Sequence, residues 1–197
     1  LLYDMAQDYW ANEIEGKEFY DFKGNRQTAE QIEEARIDTM RWLGGYVSSV
    51  KAGDTPFISF ATPPEQDVER NVDGSGFTLR GYIDFFPKDV SVMNTGETLM
   101  DCKDGYMHIG DFKTGSKKFN AWNQTKADID LQPTVYGYIM GMKPVAFHYM
   151  VIEKTATHEK PSIKHIITYR DEKDYEMLER IIHEFERSAD RLNQYED

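Results

Sequence analysis

The sequence predicts a mixed α/β fold, a central sheet of mixed strand direction flanked by helices. Three observations carry this expectation. Apolar residues recur at helical spacing from Thr28 to about Val50 and again from Asp171 to about Asn193. Between them lie short runs that alternate apolar and polar residues, separated by turns such as Asp73-Gly74-Ser75-Gly76. A third helical segment, Ile129 to Gly141, interrupts the strand-like runs. That order packs helices on the faces of a sheet.

The elements follow in sequence. Leu2, Met5, Tyr9 and Trp10 stand near helical spacing and predict a helix fragment over 2–14. Thr28 with Gln31 fits a capping box, and Ile32, Met40, Leu43 and Val47 form the apolar stripe of the first long helix. Gly44-Gly45 should weaken its last third. Phe57–Phe60 is a short strand ended by Pro63-Pro64, and Val68–Val72 and Phe77–Phe86 flank the 73–76 turn as a hairpin. Ser91–Leu99, with Asn94 and Gly96, predicts a second hairpin, and Gly105–Phe112 a further strand. The helix from Ile129 has Asp128 or Asp130 as its cap and Pro133 in its first turn, where a missing N–H costs nothing. Val145–Glu153 and Ile163–Arg170 are two more strands. Tyr175, Leu178, Ile181/Ile182, Phe185 and Leu192 form the stripe of the last helix, whose first turn is acidic as the helix dipole favours.

Composition narrows the function classes. The 197 residues, 40% hydrophobic, suit one domain over 1–197, within the usual span of roughly 100–200 residues. The chain begins with Leu1 rather than Met, which predicts an upstream segment. One cysteine, Cys102, excludes a disulfide framework and any four-cysteine zinc or iron–sulfur site. No apolar run approaches the ~18 residues of a membrane span and no signal peptide is visible, so the expected setting is a reducing cytoplasm. The net charge of −12 argues against nucleic-acid binding over the whole surface, since phosphate contacts need Lys and Arg. Charge is local, however. Lys113, Lys117, Lys118 and Lys126 occur with no acid between Lys113 and Lys126, interleaved with Phe119 and Trp122. Composition alone favours a solvated loop there; the sharper alternative is a short basic loop that guides a DNA strand.

The chemistry concentrates in two runs. Gly81-Tyr82-Ile83-Asp84 and Ile109-Gly110-Asp111-Phe112-Lys113-Thr114-Gly115 place two acids and a lysine at the ends of strands. Phosphodiester hydrolysis needs an activated water and charge neutralisation at phosphorus, both of which a divalent metal supplies. Mg2+ takes oxygen ligands and keeps several waters, so Asp84 and Asp111 suffice, with the Phe112 backbone carbonyl completing the shell. Asp111 and Lys113 share a strand face, and Phe112 should point oppositely, into the core. His108 lies on the face away from Asp111, and His148 and His165 read as ordinary strand positions rather than ligands. Trp122 and Tyr136 read at least as readily as core or rim aromatics as they do DNA contacts. Gly110 to Gly115 lacks the spacing of a phosphate-binding loop. An Asp–x–Lys pair alone would be a surface salt bridge.

The ordered set resembles the RecB-like branch of the PD-(D/E)xK nuclease superfamily. The family pattern, a Gly–x–Ile–Asp strand, an Asp–x–Lys–Thr strand and a Gln–x3–Tyr helix, is matched in order by Gly81–Asp84, Asp111–Thr114 and Gln132/Tyr136. The resemblance implies a restriction-endonuclease-like core and a Mg2+- or Mn2+-dependent deoxyribonuclease. It further implies an exonuclease of DNA repair or recombination, bacterial or phage-encoded, with recombination or helicase partners. Asp84 and Asp111 would be metal ligands, Lys113 the catalytic lysine, and Gln132 and Tyr136 a helix face at the site. No iron–sulfur cluster of the kind some relatives carry can be built. Many relatives add a histidine or glutamate ligand from an N-terminal helix. No His precedes His108 here, which leaves Glu13, Glu33 or Glu69 as stand-ins. It also leaves open a catalytically inactive, nucleic-acid-binding or scaffold module of the same fold.

Overall fold

A computed structural model describes residues 8, 10–14, 16–20, 23–63, 65–93, 95–102, 104–115, 121–155 and 159–193. The architecture is mixed α/β. Among the described residues, four α-helices accompany eight strands: α1 (Ala29–Ala52), α2 (Gln124–Ile129), α3 (Gln132–Ile139) and α4 (Glu172–Asn193), with β1 (Phe57–Phe60), β2 (Gln66–Asn71), β3 (Thr78–Ile83), β4 (Pro87–Val92), β5 (Glu97–Asp101), β6 (Met107–Gly115), β7 (Val145–Glu153) and β8 (Ile163–Arg170). Of the expected N-terminal helix, the described part is a π-helical turn, Trp10–Ile14; its earlier residues lie outside the described set.

The capping box forms as read. Thr28 Oγ1 accepts from Gln31 N and the Gln31 side chain accepts from Thr28 N. α1 runs unbroken through Gly44-Gly45, with Gly45 buried, to a left-handed Gly53. The helix expected over 129–141 is Gln132–Ile139, and a separate short helix, α2, precedes it with a break at Asp130. Leu131 takes the N-cap position of α3, while Asp130 Oδ1 accepts from Gln132 N; Asn123 caps α2 through Lys126 N.

Strands β2 and β3 form the antiparallel hairpin, and β1, β4 and β5 an antiparallel sheet in the order β1-β4-β5. The third sheet has the order β6-β7-β8; β6 and β7 are parallel, with α2 and α3 making the crossover such a pair requires, and β8 is antiparallel to β7. Phe85 joins these units. It exchanges both backbone hydrogen bonds with Gly110 of β6, at 3.2 and 2.8 Å.

Two apolar layers sandwich β6–β8. Ile83, Ile109, Trp122, Tyr136, Phe147, Tyr149 and their neighbours fill the α2/α3 side. Ile58, Phe85, Val90 and Met150 fill the other, with Tyr46 of α1 against them. Phe112 belongs to this second side but not to its interior. It is 40% exposed, resting on Phe85 and edge-on to Tyr46, because β6 reaches the border of the layer there. On α4, Tyr175 and Leu178 are buried as expected, whereas Ile181 and Phe185 face outward; Phe185 meets Phe77 of the β2–β3 hairpin. The Leu192 side chain lies outside the described set.

Candidate functional site

The site forms where β3, β6 and α3 converge. Ile83 and Phe85 sit in opposite apolar layers, although residues two apart in a regular strand share a face. The chain therefore departs from strand alternation at Asp84. This irregularity turns the Asp84 carboxylate toward β6, where Oδ2 accepts from Phe112 N at 2.7 Å. Irregular strand ends of this kind re-aim side chains. The N–H and C=O of one residue point to the same edge of an extended strand, so the Phe112 carbonyl leaves β6 on the Asp84 side.

Glycines make the approach possible. A Cβ on Gly81 would lie 2.4 Å from the Tyr136 ring, and one on Gly110 would lie 2.0 Å from the Phe85 ring. Each glycine admits an aromatic ring that fixes one side of the site. Tyr136 uses its position to donate from its hydroxyl to Tyr82 O at 2.7 Å, tying α3 to β3.

Asp111 is 5% exposed. Its Oδ1 accepts from Gln132 Nε2 at 2.8 Å, and Gln132 Oε1 accepts from Lys113 Nζ at 2.7 Å. Gln132 Nε2 also reaches the Tyr136 hydroxyl at 3.3 Å. Lys113 Nζ stands 2.7 Å from Asp111 Oδ2, an ion pair by distance without the alignment of a hydrogen bond. Among the described residues, Oδ2 is the buried side-chain oxygen or nitrogen left with no hydrogen-bond partner. Buried polar atoms in that state are few in native proteins and mark strain, catalysis or a missing ion. Burial pushes the Asp111 carboxyl above the ordinary range, and the nearby Asp84 charge adds to the shift, against the lowering effect of Lys113.

Other residues had no clear signal in the sequence. Arg170, buried at the end of β8, donates to Ala127 O, Asp128 O and Asp130 O and to the hydroxyls of Thr134 and Thr168. It holds the end of α2 and the start of α3 in one place, which sets where Gln132 stands. Asp130 accepts from Tyr149 Oη at 2.6 Å and from Gln132 N at 3.3 Å. An arginine ending a strand is unremarkable in sequence; the helix break it fastens was the missing clue.

Asp84, Asp111, Lys113, Gln132 and Tyr136 thus meet in one hydrogen-bonded cluster, with Phe112 contributing backbone. Glu69 does not join them. It is exposed on β2 opposite Arg80, while Glu65 N is the group that bonds Asp84 O. The Glu33 carboxylate is engaged by Arg36, at 2.6 and 2.8 Å. The Glu13 side chain, Lys117 and Lys118 lie outside the described residues. Trp122 corrects its expected role as a DNA contact. It is 8% exposed, with Tyr149 against one part of its ring and Lys126 Nζ 4.4 Å from its centroid, so no face is open to a base. Lys126 is half-buried against that ring.

The histidines also differ from their reading as unconnected strand positions. They form a row on the other face of β6: Asp104 Oδ1 to His108 Nε2, His108 Nδ1 to His148 Nε2, and His148 Nδ1 to His165 Nε2, each 2.9 Å. Burial brings His148 down to about 3 and His165 down to about 4.

The donors around Asp111 are hard oxygens: two carboxylates and a strand-edge carbonyl, one buried lone pair among them unused. Such a set fits Mg2+ or Mn2+ rather than a thiophilic ion. No protein-family model matches the chain, and no curated protein is significantly similar to it. Among the described residues, no helix is long and apolar enough to cross a membrane.

Proposed function

We propose that the chain is a divalent-metal-dependent DNA nuclease with a restriction-endonuclease-like core of the RecB type, an exonuclease working in DNA repair or recombination. The observation that carries this reading is the buried Asp111 carboxylate paired with Lys113, with Asp84 turned toward the same stretch of β6 by a break in strand alternation. The antiparallel β2–β3 hairpin, the parallel β6–β7 pair and the crossover helix bearing Gln132 and Tyr136 support the same reading.

Asp84, Asp111 and the Phe112 carbonyl would hold the ion. When bound, it supplies charge neutralisation at phosphorus and a more acidic water. The chain's own groups do the rest. Lys113 Nζ, steadied by Gln132 Oε1, orients the attacking water and stabilises the charge that grows on the phosphoryl oxygens. The bond from water oxygen to phosphorus forms in line as the bond to the leaving oxygen breaks. Gln132 fixes the Asp111 carboxylate and the lysine together, and Tyr136 fixes the helix that carries Gln132. Positioning of this sort converts an encounter into an ordered reaction.

The test is cleavage of end-labelled linear and closed-circular DNA, single- and double-stranded, with Mg2+, Mn2+ or EDTA, beside Asp111→Asn. Metal-dependent loss of linear DNA alone, absent in the variant, is the expected result. One observation favours a second reading: among the described residues, no third acid joins Asp84 and Asp111 in the cluster. DNA binding without cleavage by the folded protein would identify an inactive, nucleic-acid-binding or scaffold module.

A further inference from the structure

The face of β6 opposite Asp111 holds a polar cluster that the nuclease reading does not use. Cys102, after β5, stands beside His108 of β6 and His148 of β7. One donor atom from each lies within 4.8 Å of the other two. Both histidines are buried, and Cys102 is half-buried beside the layer of Phe85 and Met150. We propose that Cys102 Sγ, His108 Nδ1 and His148 Nε2 bind a single borderline-soft transition-metal ion, Zn2+ being the best match, with a fourth position left for water.

Three features carry this assignment. First, the two imidazole nitrogens already face each other at 2.9 Å. Tetrahedral zinc bonds of about 2.0–2.3 Å separate neighbouring donors by roughly 3.3–3.6 Å, so the two rings need to part by about half an ångström and the Cys102 thiol, within 4.8 Å of both, to close by at most about 1.5 Å. Second, each ring has a partner on its other nitrogen. His108 Nε2 bonds the Asp104 carboxylate and His148 Nδ1 bonds His165 Nε2. Ligating histidines almost always carry such an outer partner, which fixes ring and tautomer. Third, thiolate with imidazole selects zinc and its neighbours over Mg2+, so the chemistry of the two faces sorts the two ions.

The protons balance. Without the ion the row is satisfied when each ring is protonated on Nε2 and donates toward Asp104. Binding releases the Cys102 thiol proton to solvent. His148 then carries its proton on Nδ1, donating to His165 Nε2, and His165 carries its own on Nδ1. The ion would join the end of β5 to β6 and β7, tying the antiparallel sheet to the parallel pair.

Metal-stripped protein titrated with Co2+ tests this. The expected result is one equivalent bound with a thiolate-to-cobalt charge-transfer absorption that Zn2+ displaces and that Asp111→Asn leaves intact. Cys102→Ser should remove the absorption, and Asp104→Asn, an exposed change that spares the core, should weaken Zn2+ binding about 10–100-fold. Zn2+ should also raise the melting temperature of the wild type and not of Cys102→Ser. The proposal is overturned if folded wild-type protein shows no thiolate–cobalt absorption. It is equally overturned if neither substitution changes Zn2+ affinity.

Discussion

Alternate residues of β6 serve two unlike environments. Ile109, Asp111 and Lys113 face α2 and α3; His108, Gly110 and Phe112 face the layer beneath α1. On the first face a carboxylate is buried against one lysine, and burial raises its pKa, so its ionised form is disfavoured in the metal-free fold. On the second, a row of histidines is hydrogen-bonded end to end, and burial lowers the pKa of His148 and His165. The contrast separates two kinds of buried polarity. A hydrogen-bonded row adds to cohesion, whereas a buried acid pays for its desolvation.

The largest effect expected is on cleavage. Asp111→Asn and Lys113→Ala should each lower the rate on the order of a thousandfold or more in a gel assay with Mg2+. Asp84→Ala should do the same. Stability should not follow activity. A folded pKa above the ordinary range contributes stability at low pH that is lost as pH rises through it. The ionised Asp111 carboxylate therefore opposes folding at neutral pH, and metal-free Asp111→Asn should melt no lower than wild type. A large drop in melting temperature would mean the carboxylate holds the fold together rather than the reaction.

Next comes Arg170→Met, which takes a donor from four carbonyls and two hydroxyls. A loss on the order of 3 kcal/mol or more by urea denaturation is expected, with cleavage lost alongside. Gly81→Ala should cost about 1–3 kcal/mol, because the Tyr136 ring must move out of the way of the new methyl group. Acidification probes the second face. His148 and His165 titrate at about 3 and about 4, below their ordinary value of 6.5. Their contribution is intact above pH 6.5 and is lost as pH falls from there toward 3. Melting temperature should decline across that window, with imidazole NMR signals unshifted until its acid end. Early protonation of these rings would show that the row is solvated. Smallest of all, Glu69→Gln should leave cleavage within about twofold of wild type, as an exposed residue remote from Asp84 should. A larger loss would return Glu69 to the site.

Much of this was legible in the sequence, for physical reasons. The capping box, the 73–76 turn and the alternating runs depend on local chemistry, and those elements appear within a few residues of where they were read. Strand spacing put Asp111 and Lys113 on one face and a helical turn put Gln132 beside Tyr136, but the grouping of these four with Asp84 came from the resemblance to the nuclease pattern, since spacing says nothing of which elements meet. Of the two readings open for Trp122, the core aromatic is the one its burial supports; the sequence left the choice open because that burial depends on Tyr149, which lies far along the chain. Phe112 was assigned to the core because alternation tells which face a residue takes but not how far the neighbouring layer extends. The histidine row was missed for a related reason. His108, His148 and His165 come from three strands, and only the parallel register that pairs Gly110 with His148 and the antiparallel one that pairs Met150 with His165 set them side by side.

Arg170 has a consequence for how this domain can change. One guanidinium anchors the junction of α2 and α3 to β8, so Gln132 is placed by a contact with a strand that comes later in the chain. Any change in sequence between β6 and α2 that spares this anchor should leave Gln132 beside Asp111. The anchor lets the connection and the cluster vary independently.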